Sequence, residues 1–179
     1  MNELAANPDV GTIILDIDSP GGSVVGTPEA ADAVYAARRK KKVIALINPL
    51  AASAAYWIAS QANEVISVKS GETGSIGVFM LHMDCSAFME TEGIKPTFVF
   101  AGKNKVEGNM FEPLGAEARE FLQGEVDKIY RDFVKAVARG RNTSIADVEE
   151  NFGQGRAFMS ADAKKLGMID EIATLDAAM

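Results

Sequence analysis

Ser53 is the residue whose type and surroundings best suit chemistry, a lone hydroxyl within Pro49-Leu50-Ala51-Ala52-Ser53-Ala54-Ala55-Tyr56-Trp57, between an apolar strand pattern and an apolar helix pattern. At the first turn of such a helix, unpaired backbone N–H groups and the positive dipole end favour developing negative charge, which suits a nucleophile. A small-residue helix start packed against a neighbour gives the same local pattern, and both readings stand at this level. The stretch Ser19-Pro20-Gly21-Gly22-Ser23 puts two glycines straight after a strand. They allow positive φ and close backbone approach, so the turn is either an ordinary tight one or an anion-binding set of N–H groups. It has neither the lysine of a phosphate loop nor the spacing of a dinucleotide loop. Ala101-Gly102-Lys103-Asn104-Lys105-Val106-Glu107-Gly108-Asn109 carries two lysines in a polar loop, whose plain reading is a solvated turn.

Other chemistries find little support. The single histidine, His82, has no metal-ligand spacing to Cys, Asp or Glu, and neither a metal nor another cofactor is expected. The single cysteine, Cys85, rules out an intrachain disulfide framework and fits a reducing compartment. A formal charge of -7 leaves no basic surplus for nucleic acid. The run Arg38-Arg39-Lys40-Lys41-Lys42 reads as a solvated helix C-terminus, where cations complement the dipole. No apolar run is long enough for a membrane span.

The elements that must position these residues read as an α/β domain. Gly11 to Asp18, Val43 to Asn48 and Val65 to Val68 are near-continuous apolar strands of the buried parallel type. Thr27-Pro28 predicts an N-cap and first helical residue, with Ala30, Ala33, Val34 and Ala37 as the buried stripe. The Ser53 helix is expected to run to about Gln61, and the glycine-punctuated segment from Gly71 to Met80 to turn into a strand. Ala87 to Gly93 reads as a short helix and Pro96 to Phe100 as a strand. Ala116 to Ala138 is the longest helix, with an apolar stripe from Ala118 through Phe121, Leu122 and Val126 to Val137. Ser144 and Ser160 are expected to cap two short helices, and Met168 to Ile172 to form a last short strand. One domain over residues 1–179 with a C-terminal helical segment is the expected organisation.

Four segments in this order, Asp18-Ser19-Pro20-Gly21-Gly22, Ala52-Ser53-Ala54-Ala55-Tyr56-Trp57, Thr73-Gly74-Ser75-Ile76-Gly77-Val78, and Gly102-Lys103-Asn104-Lys105 leading to Gly108-Asn109-Met110-Phe111-Glu112-Pro113-Leu114, resemble the S49 serine peptidases. This is the family of signal peptide peptidase A, and within it the chain is most similar to the bacteriophage capsid-assembly (prohead) proteases. The resemblance implies a ClpP/crotonase-like layered fold of successive β-α-β units and a serine endopeptidase with a Ser-Lys dyad. It implies Ser53 as nucleophile, Lys105 as general base with Lys103 the alternative, Ser75 as the group orienting the lysine, and the Gly22 and Ala54 N–H groups as the oxyanion hole. Glu107 is then expected to point away from the Lys105 amine. The resemblance also implies a polypeptide substrate, a scaffold or capsid protein, and a homo-oligomer in which the lysine can reach a neighbouring protomer's serine. The strands that precede Val10 in the family are missing, so a trimmed N-terminus is expected. A cytoplasmic protein follows, the host cytoplasm for a phage protein, with membrane association through a lost N-terminus left open. The competing readings are a signal-peptide-degrading peptidase of the same family, a crotonase-like acyl-CoA enzyme, and a non-catalytic ring-forming scaffold protein.

Overall fold

Uninterrupted β-branched and aliphatic runs belong in the middle of a sheet covered on both faces, and Val43–Ile47 shows this directly: all five residues are buried. In the computed structural model, which describes residues 1–178, they lie in β2 (Lys42–Ala52). This strand pairs in parallel with β1 (Thr12–Ser19) from Thr12 opposite Lys42 to Ile17 opposite Ile47, with a register shift before Ser19 meets Ala51. On its other side β2 pairs in parallel first with β3 (Glu64–Ser67), through Ile44 to Ile47, and further along with β4 (Glu72–Gly74), through Leu50 to Ala52. Antiparallel β5 (Ala157–Met159) extends the sheet beyond β4, and parallel β6 (Glu171–Ile172) extends it beyond β3. The α/β class is therefore as expected.

The chain forms two compact units, residues 1–78 with the chain from Ile129 onward, and Phe79–Lys128. The first holds the sheet together with α1 (Asn2–Ala6), α2 (Thr27–Ala37) and α3 (Ala54–Ala59), which begins immediately after Ser53. It also holds the C-terminal part of α5 (Ala116–Arg141), then α6 (Ile145–Asn151), α7 (Ser160–Lys165) and α8 (Leu175–Ala178). Its core joins Val34, Ile47, Tyr56, Phe133, Val137 and Phe152, and Trp57 stacks on Phe133 with ring centroids 4.6 Å apart. Gln61 is fully buried beside α3, donating to the Trp57 and Ala136 carbonyls and accepting from Arg139. The second unit contains α4 (Ser86–Thr91) and the first half of α5. Among the described residues no helix is long and apolar enough to cross a membrane.

Several local expectations are corrected. Thr27 is the first helical residue rather than the cap: Gly26, with φ 85°, precedes it, and the Thr27 hydroxyl donates to the Ser23 carbonyl. Ala31 takes the core position, while Ala30 and Ala33 are only half-buried. Ser160 likewise opens α7 instead of capping it, because its Oγ bonds the Val68 and Gly71 carbonyls. Arg38 is not solvated; its guanidinium donates to the carbonyls of Gln61, Ala62 and Gly140. Pro96 to Phe100 forms no strand and is exposed throughout, since a strand needs a paired neighbour and none among the described residues supplies one. The segment from Gly71 to Met80, expected to turn into a strand, contributes its strand at Glu72–Gly74, at its start rather than after the turn.

Candidate active site

Ser53 is the single residue between β2 and α3, in a conformation that non-glycine residues seldom adopt, φ 54° and ψ -124°. Its backbone is held on both sides: its N–H donates to the Gly74 carbonyl at 2.8 Å, and its own carbonyl accepts from Trp57 N–H at 3.0 Å. A serine at a helix N-terminus ordinarily spends its hydroxyl on the first-turn N–H groups. Ser53 makes no such cap bond, and its Oγ has no hydrogen-bond partner among the described residues. The hydroxyl is thus half-exposed and uncommitted, at the positive end of a helix.

Gly21 explains why the preceding strand must end in a glycine turn. With φ 97°, it lies so close that a Cβ there would stand 2.7 Å from Ser53 Cβ, 2.7 Å from the Ala52 oxygen and 2.9 Å from the Ala54 nitrogen. Its N–H is fixed by the Ser19 hydroxyl at 3.2 Å. At Gly22, by contrast, a Cβ would meet open space. Gly21, Gly22, Ala54 and Ala55 line a cleft of about 300 Å³, walled further by Ile17, Thr27 and Ile58. Neither the Gly22 nor the Ala54 N–H has a hydrogen-bond partner among the described residues, so both remain able to receive an anion.

Ser75 is brought beside this arrangement by strand register. Ala52 pairs with Gly74, so Ser53 and Ser75 are the residues that directly follow two adjacent parallel strands, and both have φ 54°. A turn that sequence reading passed over backs Ser75: Gly153, Gln154 and Gly155 have φ 86°, 48° and 95°, and the Arg156 carbonyl accepts the Ser75 N–H at 2.8 Å. The Gly-x-Gly-Arg spelling of this turn was the available signal.

Both lysines belong to the smaller unit. The Lys103 ammonium donates to Glu117 at 2.9 Å, and this bond, with the Glu117 charge, holds its pKa above the usual lysine value. Lys105 is exposed, and its ammonium has no partner among the described residues. Glu107 makes no ion pair with Lys105 among them, and its charge acts instead on Lys103. No group of three or more His, Cys, Asp or Glu side chains suited to a metal ion occurs among the described residues. His82 and Cys85 both lie in the smaller unit with the lysines.

Comparison with known proteins agrees with the motif order. Over all 179 residues the chain is 35% identical to a putative protease of Methanocaldococcus jannaschii, covering 57% of that protein. It is 34% identical over 172 residues to the head-tail preconnector protein GP5 of Enterobacteria phage P21, which spans 96% of this chain and 34% of the relative. Over 172 residues it is 33% identical to the capsid assembly protease C of Escherichia phage lambda, spanning 96% of this chain and 39% of the relative. The chain thus covers between a third and somewhat over half of these relatives' lengths. Residues 35–179 match the model of peptidase family S49, and the chain belongs to that family.

Proposed function

We propose that this chain is a serine endopeptidase working through a Ser-Lys dyad on a ClpP/crotonase-like fold. Ser53 is the nucleophile, Lys105 the general base, Ser75 the residue that orients the lysine, and the Gly22 and Ala54 N–H groups the oxyanion hole. The observation that carries the reading is Ser53 itself: a strained, uncapped serine at a helix start, beside two unpartnered N–H groups on one cleft.

In the proposed reaction the neutral Lys105 amine takes the Ser53 proton as Oγ attacks the substrate carbonyl carbon. The resulting oxyanion is held by the two N–H groups. Collapse breaks the C–N bond, the departing amine takes the proton from Lys105, and water then hydrolyses the acyl-enzyme by the same route. Lysine serves only when uncharged, which requires its surroundings to lower its pKa by desolvation. Lys103 is unsuited because Glu117 stabilises its charged form. Lys105 is exposed within this chain, so a second protomer or the bound substrate must desolvate it. Phe79, Leu81, Phe88, Val99 and Phe100 are each more than half exposed in the same unit, which supports a homo-oligomer.

The substrate is a polypeptide, and the phage relatives support a protein of capsid assembly. The test is cleavage of an unfolded polypeptide together with fluorophosphonate labelling by the purified protein. Ser53→Ala and Lys105→Ala are expected to abolish cleavage, Ser53→Ala alone to remove the labelling site, and Lys103→Ala to retain activity. Loss in Lys103→Ala with retention in Lys105→Ala would reassign the base, and unlabelled Ser53 with no cleavage would mark a non-catalytic protein.

A further inference from the structure

We propose that His82 is a positioning residue for Lys105, acting through the backbone at Asn109; the inference rests on Lys105 being the base. The loop from Gly102 to Asn109 is a series of turns closed by long bonds: Lys105 N–H to Gly102 O at 3.1 Å, Glu107 N–H to Asn104 O at 3.2 Å and Asn109 N–H to Val106 O at 3.3 Å. Such turns, mostly exposed, do little by themselves to keep one lysine in one place. Both ends of the loop are tied down within the same unit. Near its start Lys103 is spent on Glu117 in the first turn of α5. At its end Asn109 is gripped from every side: its amide nitrogen donates to Val106 O at 2.8 Å and to Glu112 at 2.6 Å, its side-chain oxygen accepts Phe111 N–H at 2.8 Å, and its carbonyl lies 2.8 Å from His82 Nε2.

Among the described residues, the His82 contact is the one that reaches this end of the loop from a distant part of the chain through a side chain. Three residues on, Cys85 N–H donates to the Met110 carbonyl at 2.8 Å, so residues 82–85 grip residues 109–110 at two points. A carbonyl can only accept, so Nε2 carries the proton, which fixes the tautomer. Of the two amines in the loop, the clamped geometry leaves Lys105 as the uncommitted one.

His82→Phe keeps a ring and removes the donor, whereas His82→Gln returns an N–H to the position. In His82→Phe, hydrogen exchange of the amides in residues 103–109 is expected to rise at least tenfold. Its kcat for an unfolded polypeptide should fall by roughly 10- to 100-fold while KM stays within about twofold, since a misplacement near 1 Å has an effect of that order. His82→Gln should recover most of both. Wild-type exchange in His82→Phe would overturn the proposal, as would raised exchange with unchanged kcat. Lys105→Ala, measured alongside, separates the two levels: if it cleaves like wild type, the base assignment fails and this inference falls with it, whereas failure of the His82 variants alone leaves the base assignment standing.

Discussion

Replacing Gly21 by alanine puts a methyl carbon 2.7 Å from Ser53 Cβ, 2.7 Å from the Ala52 carbonyl oxygen and 2.9 Å from the Ala54 nitrogen. Two of these are backbone atoms of the turn that holds the serine, so no side chain can swing aside to make room. Carbon atoms rest at about 3.5–4.0 Å, so relief requires roughly 0.8 Å or more of movement, and it falls on residues 52–54. The φ of 97° adds its own penalty of about 1–2 kcal/mol for a residue with a Cβ. With overpacking of about 1–3 kcal/mol, the variant should lose about 2–5 kcal/mol of stability. Against a typical domain stability of about 5–15 kcal/mol, all but the most marginal domains still fold after that loss, and the unfolding measurement checks it. A shift near 1 Å at the nucleophile should slow acylation about 100-fold. Gly11→Ala is the internal control, because a Cβ there meets nothing within 4 Å and its φ is not in the positive region. The assay pairs the second-order rate of fluorophosphonate labelling with urea unfolding of the same samples. A folded Gly21→Ala that labels within about twofold of wild type, or a Gly11→Ala that labels more slowly than Gly21→Ala, would refute the steric reasoning.

Gly140 sits inside α5, where alanine would ordinarily stabilise by about 1 kcal/mol; here its Cβ would stand 2.1 Å from the Ser60 oxygen, so urea unfolding of Gly140→Ala should show a loss of about 2–3 kcal/mol instead. Asp170 pairs both oxygens with Arg141, at 2.9 and 2.6 Å; burial raises its pKa, but the Arg141 hydrogen bonds, the Val65 N–H and the Arg141 charge outweigh it and hold the carboxyl below its ordinary range. A folded pKa below the unfolded one means that this stability is present above about pH 3.9 and is lost as pH falls through the folded value, so acid unfolding should be shallower in Asp170→Asn. At neutral pH that variant should lose about 1–3 kcal/mol, less than for a fully buried pair because the Asp170 side chain is 40% exposed. Tyr56→Phe removes the buried hydroxyl that donates to Met168 O at 2.8 Å and should cost about 1–3 kcal/mol in the same assay. Burial also holds the Tyr56 phenol above its ordinary pKa, so wild-type stability should decline above about pH 10 and that component should vanish in Tyr56→Phe.

Much of the framework was legible because its signals are local. Continuous apolar runs marked β1, β2 and β3, glycine spacing marked the turns, and Ser144 caps α6 by accepting the Asp147 N–H, as its spelling suggests. Where the prediction slipped, a cap-type hydroxyl had been committed to a carbonyl instead: that of Thr27 to Ser23, four residues back, and that of Ser160 to Val68 and Gly71, far away in the chain. Periodicity marked an apolar stripe along α5 but not what packs on it. Phe133 and Val137 are buried, whereas Phe121 is 62% exposed.

By itself the sequence determined the residue types available for chemistry and the order of strands, turns and helices that carries them, because periodicity and turn preferences act within a few positions. Only the tertiary structure decided that Ser53 is strained and uncapped, that Gly21 rather than Gly22 presses against it, and that Ser75 arrives beside it just after β4. Those facts depend on strand register and on the approach of backbones far apart in the chain, which close packing enforces and local pattern does not encode.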